Sequence, residues 1–210
     1  MLKKIFFALF VRPIVLIVSG VHVIGKEKLP IKGPCIIAAN HNSHLDTMVL
    51  MSVFPLKNIN SIRPVAAADY FMKNKYFAWF SLNILGIIPL KRRPSKEEGH
   101  PLLGVQKALK NGDIVIVFPE GSRGVPEEMS TFKTGIAHLA KAFPSVPVVP
   151  VYIHGAGKAL PKGEGLFVPF IIDVHVGESL FYGDEDNNMF TMRLEKTIKT
   201  LEEHYIRDNK

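Results

Sequence analysis

The chain has 210 residues, of which 47% are hydrophobic and 21% charged; this length and composition are those of a folded α/β domain and exclude general disorder. Its one cysteine, Cys35, cannot form an internal disulfide, and no paired-cysteine motif predicts a zinc or iron–sulfur site. The net charge of +7 is uneven, because residues 1–110 carry 16 basic and 5 acidic residues whereas residues 111–210 carry 10 and 14. The basic first half predicts a surface that meets anions such as lipid headgroups, phosphorylated substrates or nucleic acid.

The first 19 residues are predicted to form a membrane-associated helix. Apolar residues dominate from position 5 to position 24, but Arg12 and Pro13 interrupt the run, and neither piece approaches the roughly 20 residues that a membrane span needs. The helix is therefore expected to lie in the interface, with three basic residues at headgroup level: Lys3, Lys4 and Arg12. This predicts peripheral attachment to the cytoplasmic face of a membrane. The alternative is a helix docked on the protein's own core.

Strand-like and helical runs alternate along residues 20–210, and no repeat or linker divides them. This alternation predicts a single α/β domain with a mixed, largely parallel sheet flanked by helices. Strands are predicted at residues 21–24, 34–39, 63–68, 87–90, 113–118, 146–153 and 170–176. Helices are predicted at residues 44–53, 69–82, 95–110, 135–143 and 187–207, with Ser43 capping the first and Asp69 the second.

A polar segment, NHNSHLD at residues 40–46, follows directly after the predicted strand 34–39. Ser43 and Asp46 have the spacing of a capping box at the start of a helix. If the helix begins after Ser43, His41 lies in the preceding loop, and the Asp46 carboxylate can reach back to its imidazole to make a general base. A plain helix cap with an incidental histidine explains the pattern equally well. A third interpretation takes His41, His44 and Asp46 as metal ligands.

Two further segments predict contacts with an anion. VFPEGSRG at residues 117–124 follows the clearest predicted strand, and there Arg123 could bind a phosphate while Glu120 holds Arg123 or contacts substrate hydroxyls. GIIPLKRR at residues 86–93 places three basic residues together, which could hold a phosphate or an anionic membrane. An ordinary turn and a solvated charge run are the alternatives. No nucleic-acid-binding module accompanies the cluster, so nucleic acid is not an expected partner.

Taken in chain order, these three segments, followed by TFKTG at residues 131–135 and VVPVY at residues 148–152, resemble the glycerophospholipid acyltransferase family, of the 1-acylglycerol-3-phosphate acyltransferase type. His41 and Asp46 match the family's first motif, HX4D, in which four residues separate the two side chains. Residues 118–124 match its third motif, Phe-Pro-Glu-Gly-Thr-Arg-Ser, except that Ser replaces Thr and Gly replaces the final Ser. The resemblance covers about residues 20–155.

The resemblance implies transfer of a fatty acyl chain from a thioester, on coenzyme A or acyl carrier protein, to the hydroxyl of a lysophospholipid. The expected acceptor is 1-acylglycerol-3-phosphate, which would give phosphatidic acid. His41 would remove the hydroxyl proton and Asp46 would orient it, without a cofactor or a resident metal. An anionic membrane surface is the implied partner. The residues implied to hold the acceptor are Arg92, Glu120, Gly121, Ser122, Arg123 and Lys133.

Three alternatives remain at this stage. The first is the same chemistry on another lysolipid, the second is a lipid-binding protein without catalysis, and the third is a metal-dependent hydrolase that uses His41, His44 and Asp46. An acyl-chain groove is also expected, and the aromatic helix at residues 70–79 could line it or belong to the core.

Overall fold

A computed structural model describes residues 1–72, 74–91, 101–124, 128–160, 168 and 170–208. Within these residues, seven strands form one sheet in the order β1-β7-β6-β2-β5-β3-β4. All neighbouring strands are parallel except β6 and β7. The strands are β1 (Val21–Ile24), β2 (Cys35–Ala39), β3 (Ile62–Ala67), β4 (Ile88–Leu90), β5 (Ile114–Val117), β6 (Val148–His154) and β7 (Ile172–Val176).

Helices cover both faces of this sheet. Two of them continue as π-helical turns: α1 through Phe7–Val11 and Pro13–Ser19, and α4 through Ser81–Leu85. The α-helices are α1 (Leu2–Phe6), α2 (Leu45–Val53), α3 (Ala68–Phe71), α4 (Lys75–Phe80), α5 (Leu103–Lys110), α6 (Gly135–Ala142), α7 (Ala156–Ala159) and α8 (Asn187–Asp208). The mixed, largely parallel α/β architecture predicted from the sequence is confirmed.

The local differences from the predicted elements lie at helix starts. The cap of α2 is His44 rather than Ser43, although the Ser43 hydroxyl still accepts a hydrogen bond from the amide of Leu45. The predicted helix 69–82 is two helices, because Asn74 breaks it and caps α4 with its side chain, so Asp69 is not the cap. The predicted start of the helix 95–110 lies outside the described residues. The four-residue helix α7 is not predicted from the sequence.

Strand β2 is the centre of the core, and its side chains are buried on both faces of the sheet. Cys35 and Ile37 pack with α2 and the N-terminal helix, whereas Ile36 and Ala38 pack with α5, α6 and α8. Burial on both faces is typical of a central strand in a sheet covered by helices on each side, and it explains the continuous apolar run CIIAA.

The N-terminal helix docks on this core along one side. Phe7 is fully buried, and the Lys3 ammonium donates a hydrogen bond to the carbonyl of Ile62 at 2.7 Å. The guanidinium of Arg12 donates to the carbonyls of Ser52 and Phe54. The prediction that these two basic residues lie at headgroup level is therefore wrong, because their charged groups satisfy backbone carbonyls of the protein itself.

The Lys3 ammonium is costly to bury. Its pKa is lowered to about 7, first by burial and then by the nearby charge of Arg63.

Among the described residues, no helix has the length and apolar character needed to cross a membrane.

Candidate active site

Two loops meet where the neighbouring parallel strands β2 and β5 end. In open α/β sheets, this edge of the sheet is where ligands bind. The first loop leaves β2 through Asn40, whose side-chain amide exchanges two hydrogen bonds with the backbone of Ile153 on β6, at 2.9 and 2.7 Å. The Asn40 side chain thus continues the pairing between β2 and β6 beyond the end of β2 and fixes where the loop begins.

The carboxylate of Asp46 organises the first loop. Asp46 lies in the first turn of α2, is 1% exposed, and accepts three hydrogen bonds at its Oδ2 atom. The donors are the backbone amides of Asn42 at 2.7 Å and Ser43 at 2.8 Å, and His41 Nδ1 at 2.9 Å. The predicted contact between His41 and Asp46 is therefore present, and the same carboxylate oxygen also accepts the amide of Ser43, the residue before the helix cap.

The imidazole of His41 has a defined orientation. An ionised carboxylate can only accept, so the bond to Asp46 places a proton on Nδ1 and leaves the lone pair of the neutral ring on Nε2. The ring also stacks on Phe118, the residue after β5, with ring centroids 4.0 Å apart and planes inclined by 17°. These two contacts prepare Nε2 to accept a proton.

The second loop, residues 118–124, folds against the first. Gly121 has a φ of +74° and donates its amide to the carbonyl of Phe118 at 3.0 Å. This positive φ is strained for residues other than glycine, whereas the Lys133 ammonium, 2.7 Å from where a Cβ atom would lie, ends a flexible side chain that can move aside. The motif glycine is therefore required for its backbone conformation.

A cavity of about 640 Å³ opens beside His41. Its wall includes basic and polar side chains together with apolar ones. The polar and basic members are His41, His44, Thr47, Tyr70, Lys91, Ser122, Arg123, Lys133 and His138, together with the acidic Asp69. The apolar members come mainly from β3, β4, the end of β5 and the segment before α5, and are Pro64, Val65, Ala66, Ala67, Ile87, Leu90, Pro101, Leu102, Val117 and Phe118. Such a lining suits a molecule with an anionic head and an apolar chain.

The structure brings most of the predicted site residues together. His41, Ser122, Arg123 and Lys133 share the cavity wall, as does Gly121. Glu120 is 3% exposed, and its carboxylate is bonded to the His41 amide and to Ser130. Arg92 lies outside the described residues.

Tyr70 contacts two other residues of the cavity wall, His44 and Arg123. Its hydroxyl lies 2.9 Å from His44 Nε2, and the guanidinium carbon of Arg123 lies 5.8 Å from the centre of its ring. The pKa of His44 is lowered to about 4, first by partial burial of the ring and then by the charges of Arg123 and His41. His44 is therefore neutral near pH 7.

Sequence reasoning missed two histidine assignments in this cavity. The sequence pattern indicated His44 only as a possible metal ligand and gave His138 no role. His138 also lines the cavity, and Asn187 donates to its Nδ1 at 3.2 Å. The only signal for His138 was its position one turn after TFKTG, whereas nothing in the sequence pairs His44 with Tyr70. Of the aromatic residues at 70–79, for which both a groove lining and a core position were open, Tyr70 lines the cavity, whereas Tyr76 and Trp79 are exposed on the surface.

The described side chains do not form a metal centre. Nowhere in the described part of the chain do three or more His, Cys, Asp or Glu side chains converge in a way that could hold a metal ion. His41 Nδ1 and Asp46 Oδ2 are bonded to each other, and His44 Nε2 is bonded to Tyr70.

Comparisons with known proteins agree with this fold. The model of the family described as Acyltransferase matches residues 20–154. The chain is 33% identical over 144 residues to the chloroplastic 1-acyl-sn-glycerol-3-phosphate acyltransferase BAT2 of Brassica napus, covering 68% of this chain and 40% of that protein. It is 32% identical over 150 residues to the 1-acyl-sn-glycerol-3-phosphate acyltransferase of Saccharomyces cerevisiae, covering 70% and 47%.

A solved structure shares the architecture over almost the whole chain. It is the crystal structure of the 1-acyl-sn-glycerophosphate (LPA) acyltransferase, PlsC, from Thermotoga maritima, with a TM-score of 0.76 and 25% identity. The match covers 97% of this chain and 78% of that one. The chain therefore belongs to the acyltransferase family, and the resemblance inferred from the sequence motifs is confirmed. It spans less than half the length of the Brassica and yeast relatives.

The neutral state of His44 leads to a testable prediction. In the folded protein His44 should titrate near pH 4 instead of its ordinary 6.5. Between these values the unfolded chain binds a proton that the folded chain does not. The contribution of His44 to the free energy of unfolding is therefore complete above about pH 6.5 and is lost as the pH falls towards 4.

An NMR titration measures this directly, with the His44 signal assigned by its loss in the His44→Gln variant. Urea unfolding of both proteins across the same range should show a smaller loss of stability on acidification in the variant. A folded-state midpoint near pH 6.5 would contradict the prediction.

Proposed function

We propose that this protein transfers an acyl chain from a thioester of coenzyme A or acyl carrier protein to the free hydroxyl of 1-acylglycerol-3-phosphate, giving phosphatidic acid. The observation that carries the proposal is the His41–Asp46 bond of 2.9 Å beside a cavity that also contains Arg123 and Lys133. The Brassica and yeast relatives are named 1-acyl-sn-glycerol-3-phosphate acyltransferases, after this reaction. The same chemistry on another lysolipid is tested below with a panel of acceptors.

In the proposed reaction His41 is the general base. Its Nε2 takes the proton of the acceptor hydroxyl as that oxygen attacks the thioester carbonyl, and Asp46 stabilises the imidazolium through Nδ1. The tetrahedral intermediate then collapses, the carbon–sulfur bond breaks, and the imidazolium returns the proton to the leaving thiolate. The chain thus forms the new ester without an acyl-enzyme intermediate and without a cofactor.

The cavity wall supports a division of roles between the two substrates. The guanidinium of Arg123 can hold a phosphate with two parallel hydrogen bonds, and the Lys133 ammonium adds a second positive charge. The apolar wall from β3 and β4 can cover an acyl chain. A metal-dependent hydrolase is less well supported, because the three side chains that it would need as ligands are bonded to one another or to Tyr70.

Peripheral membrane attachment forms part of the proposal, with residues 1–19 as the membrane-associated helix and residues 20–210 as the catalytic domain. The N-terminal helix exposes Leu9 and Phe10 on the side away from the core, and α4 exposes Tyr76 and Trp79. A ring contact between Phe6 and Phe80, with centroids 5.2 Å apart, joins the two helices. Together they present an apolar and aromatic surface that suits the cytoplasmic face of a bilayer.

The first prediction of this proposal concerns the base. His41→Ala should lower kcat by about 10²–10⁴-fold, the usual contribution of a positioned general base. Thiol release, measured with a chromogenic disulfide, and lipid mass spectrometry of phosphatidic acid measure the transfer. His204→Ala, at an exposed position on α8, is the matched control. A rate for His41→Ala within a few-fold of the parent would remove His41 from the role of base.

The second prediction concerns the phosphate. Arg123→Ala should raise the acceptor KM by about 10–100-fold and leave the donor KM nearly unchanged, because a hydrogen bond to a charged group contributes about 1.5–3 kcal/mol. Arg123→Lys should recover part of the loss by restoring charge without the paired geometry.

The panel for this experiment contains 1-acylglycerol-3-phosphate, other lysophospholipids and monoacylglycerol. The wild-type preference for the phosphate-bearing acceptor over monoacylglycerol should collapse in Arg123→Ala. If only the donor KM changes, Arg123 does not bind the acceptor phosphate. If the wild type acylates a different lysolipid, the acceptor is misassigned.

The third prediction concerns the membrane. Replacing Leu9 and Phe10 together by Glu should abolish co-sedimentation with vesicles of phosphatidylcholine and phosphatidylglycerol, because both side chains are exposed and charge opposes their burial in lipid. Met192→Glu, an exposed apolar position on α8, is the control. Unchanged sedimentation of the double variant would exclude this surface as the attachment site.

A further inference from the structure

Glu120 is a buried carboxylate with a donor at each oxygen. It is 3% exposed, and its Oε1 accepts the backbone amide of His41 at 2.7 Å. Its Oε2 accepts the backbone amide of Ser130 at 3.0 Å and also the Ser130 hydroxyl. A carboxylate buried to this extent is stable only when its oxygens are hydrogen-bonded, and here two backbone amides and a hydroxyl meet that need.

The backbone of His41 is held at both of its polar atoms by the second loop. Glu120 accepts its amide, and the amide of Gly124 donates to its carbonyl at 3.1 Å. The ring of the same residue stacks on Phe118, at the start of that loop. The position of the imidazole therefore depends on residues about 80 positions further along the chain, as well as on Asp46.

We infer that Glu120 is a positioning residue that holds the backbone of His41 and does not bind the acceptor. The inference rests on the proposed function, because it assigns His41 the role of base. Glu120 and Asp46 then hold the same histidine at two different atoms. Glu120 accepts the backbone amide of His41, and Asp46 accepts ring Nδ1. With 3% of its surface exposed, Glu120 offers little access to a substrate hydroxyl.

A glutamine cannot replace Glu120 at these contacts. A carboxamide has one acceptor oxygen and one donor NH₂ group. In one orientation the NH₂ group faces the His41 amide, and in the other it faces the Ser130 amide. Either way two donors oppose each other, so the Glu120→Gln variant loses one backbone contact while retaining the volume of the side chain.

The test compares Glu120→Gln with Glu128→Gln, an exposed glutamate close by in the same segment. Glu120→Gln should lower kcat by about 10²-fold and leave both KM values within about threefold, because displacing a catalytic group by about 1 Å has an effect of this size. Glu128→Gln should stay within about twofold in all three constants, which excludes a general effect of lost negative charge. Circular dichroism and thermal unfolding check that both variants fold.

A second readout needs no turnover. In ¹⁵N-histidine-labelled protein, His41 of the wild type should show the Nδ1-protonated tautomer, and Glu120→Gln should shift these ring signals towards a tautomer mixture. This measurement stands even if the wild type acylates no lysolipid, so the failure of the inference can be told apart from failure of the proposed function. If Glu120→Gln does not fold, Ser130→Ala replaces it and should give a smaller loss of kcat, because only the hydroxyl donor is removed.

Two results would overturn the inference. An acceptor KM raised more than tenfold with unchanged kcat would mean that Glu120 binds the acceptor directly. Rates and ring signals in Glu120→Gln that match the wild type would mean that the backbone contact does not position His41.

Discussion

The bond between Asp46 and His41 is the contact on which the rest of this site depends. A single carboxylate oxygen accepts hydrogen bonds from the imidazole and from two successive backbone amides, so the same atom orders the loop and sets the tautomer of His41. Its position in the first turn of α2 places the negative charge at the positive end of a helix dipole. The first turn of α2 and the orientation of the His41 ring therefore depend on the same carboxylate.

The parallel sheet brings the loop of the third motif next to the loop of the first. Because β2 and β5 are parallel neighbours, the loops that follow them leave the same edge side by side, and the third motif meets the first. Asn40 continues the pairing with β6 beyond the end of β2, which prevents the first loop from drifting away from that edge. The close packing of His41 on Phe118 follows directly, since each comes within two residues of the end of its strand.

Features that depend on local sequence could be predicted, and those that depend on distant packing could not. The apolar runs of β2 and β5 identify buried strands, and the short spacing of His41 and Asp46 at a helix start makes their contact one of the local structures that the sequence allows. The contact of Glu120 with the His41 amide spans 79 positions, and that of Tyr70 with His44 spans 26. The basic residues near the N-terminus are another example of a contact that local sequence does not predict. Their charge alone predicted contacts with lipid headgroups, whereas in the tertiary fold Lys3 points inward and donates to a backbone carbonyl.

The distribution of charge around the cavity favours an anionic ligand. Both motif carboxylates, Asp46 and Glu120, are turned onto backbone amides and are nearly inaccessible, so neither is presented to the cavity. Among the described lining residues the only acidic side chain is that of Asp69, against three basic ones: Lys91, Arg123 and Lys133. The lowered pKa of His44 reflects the same positive field in part, because a protonated imidazole beside Arg123 would add like charge. In electrostatic terms, a lining with more cationic than acidic side chains favours a phosphate-bearing ligand over one with a neutral headgroup.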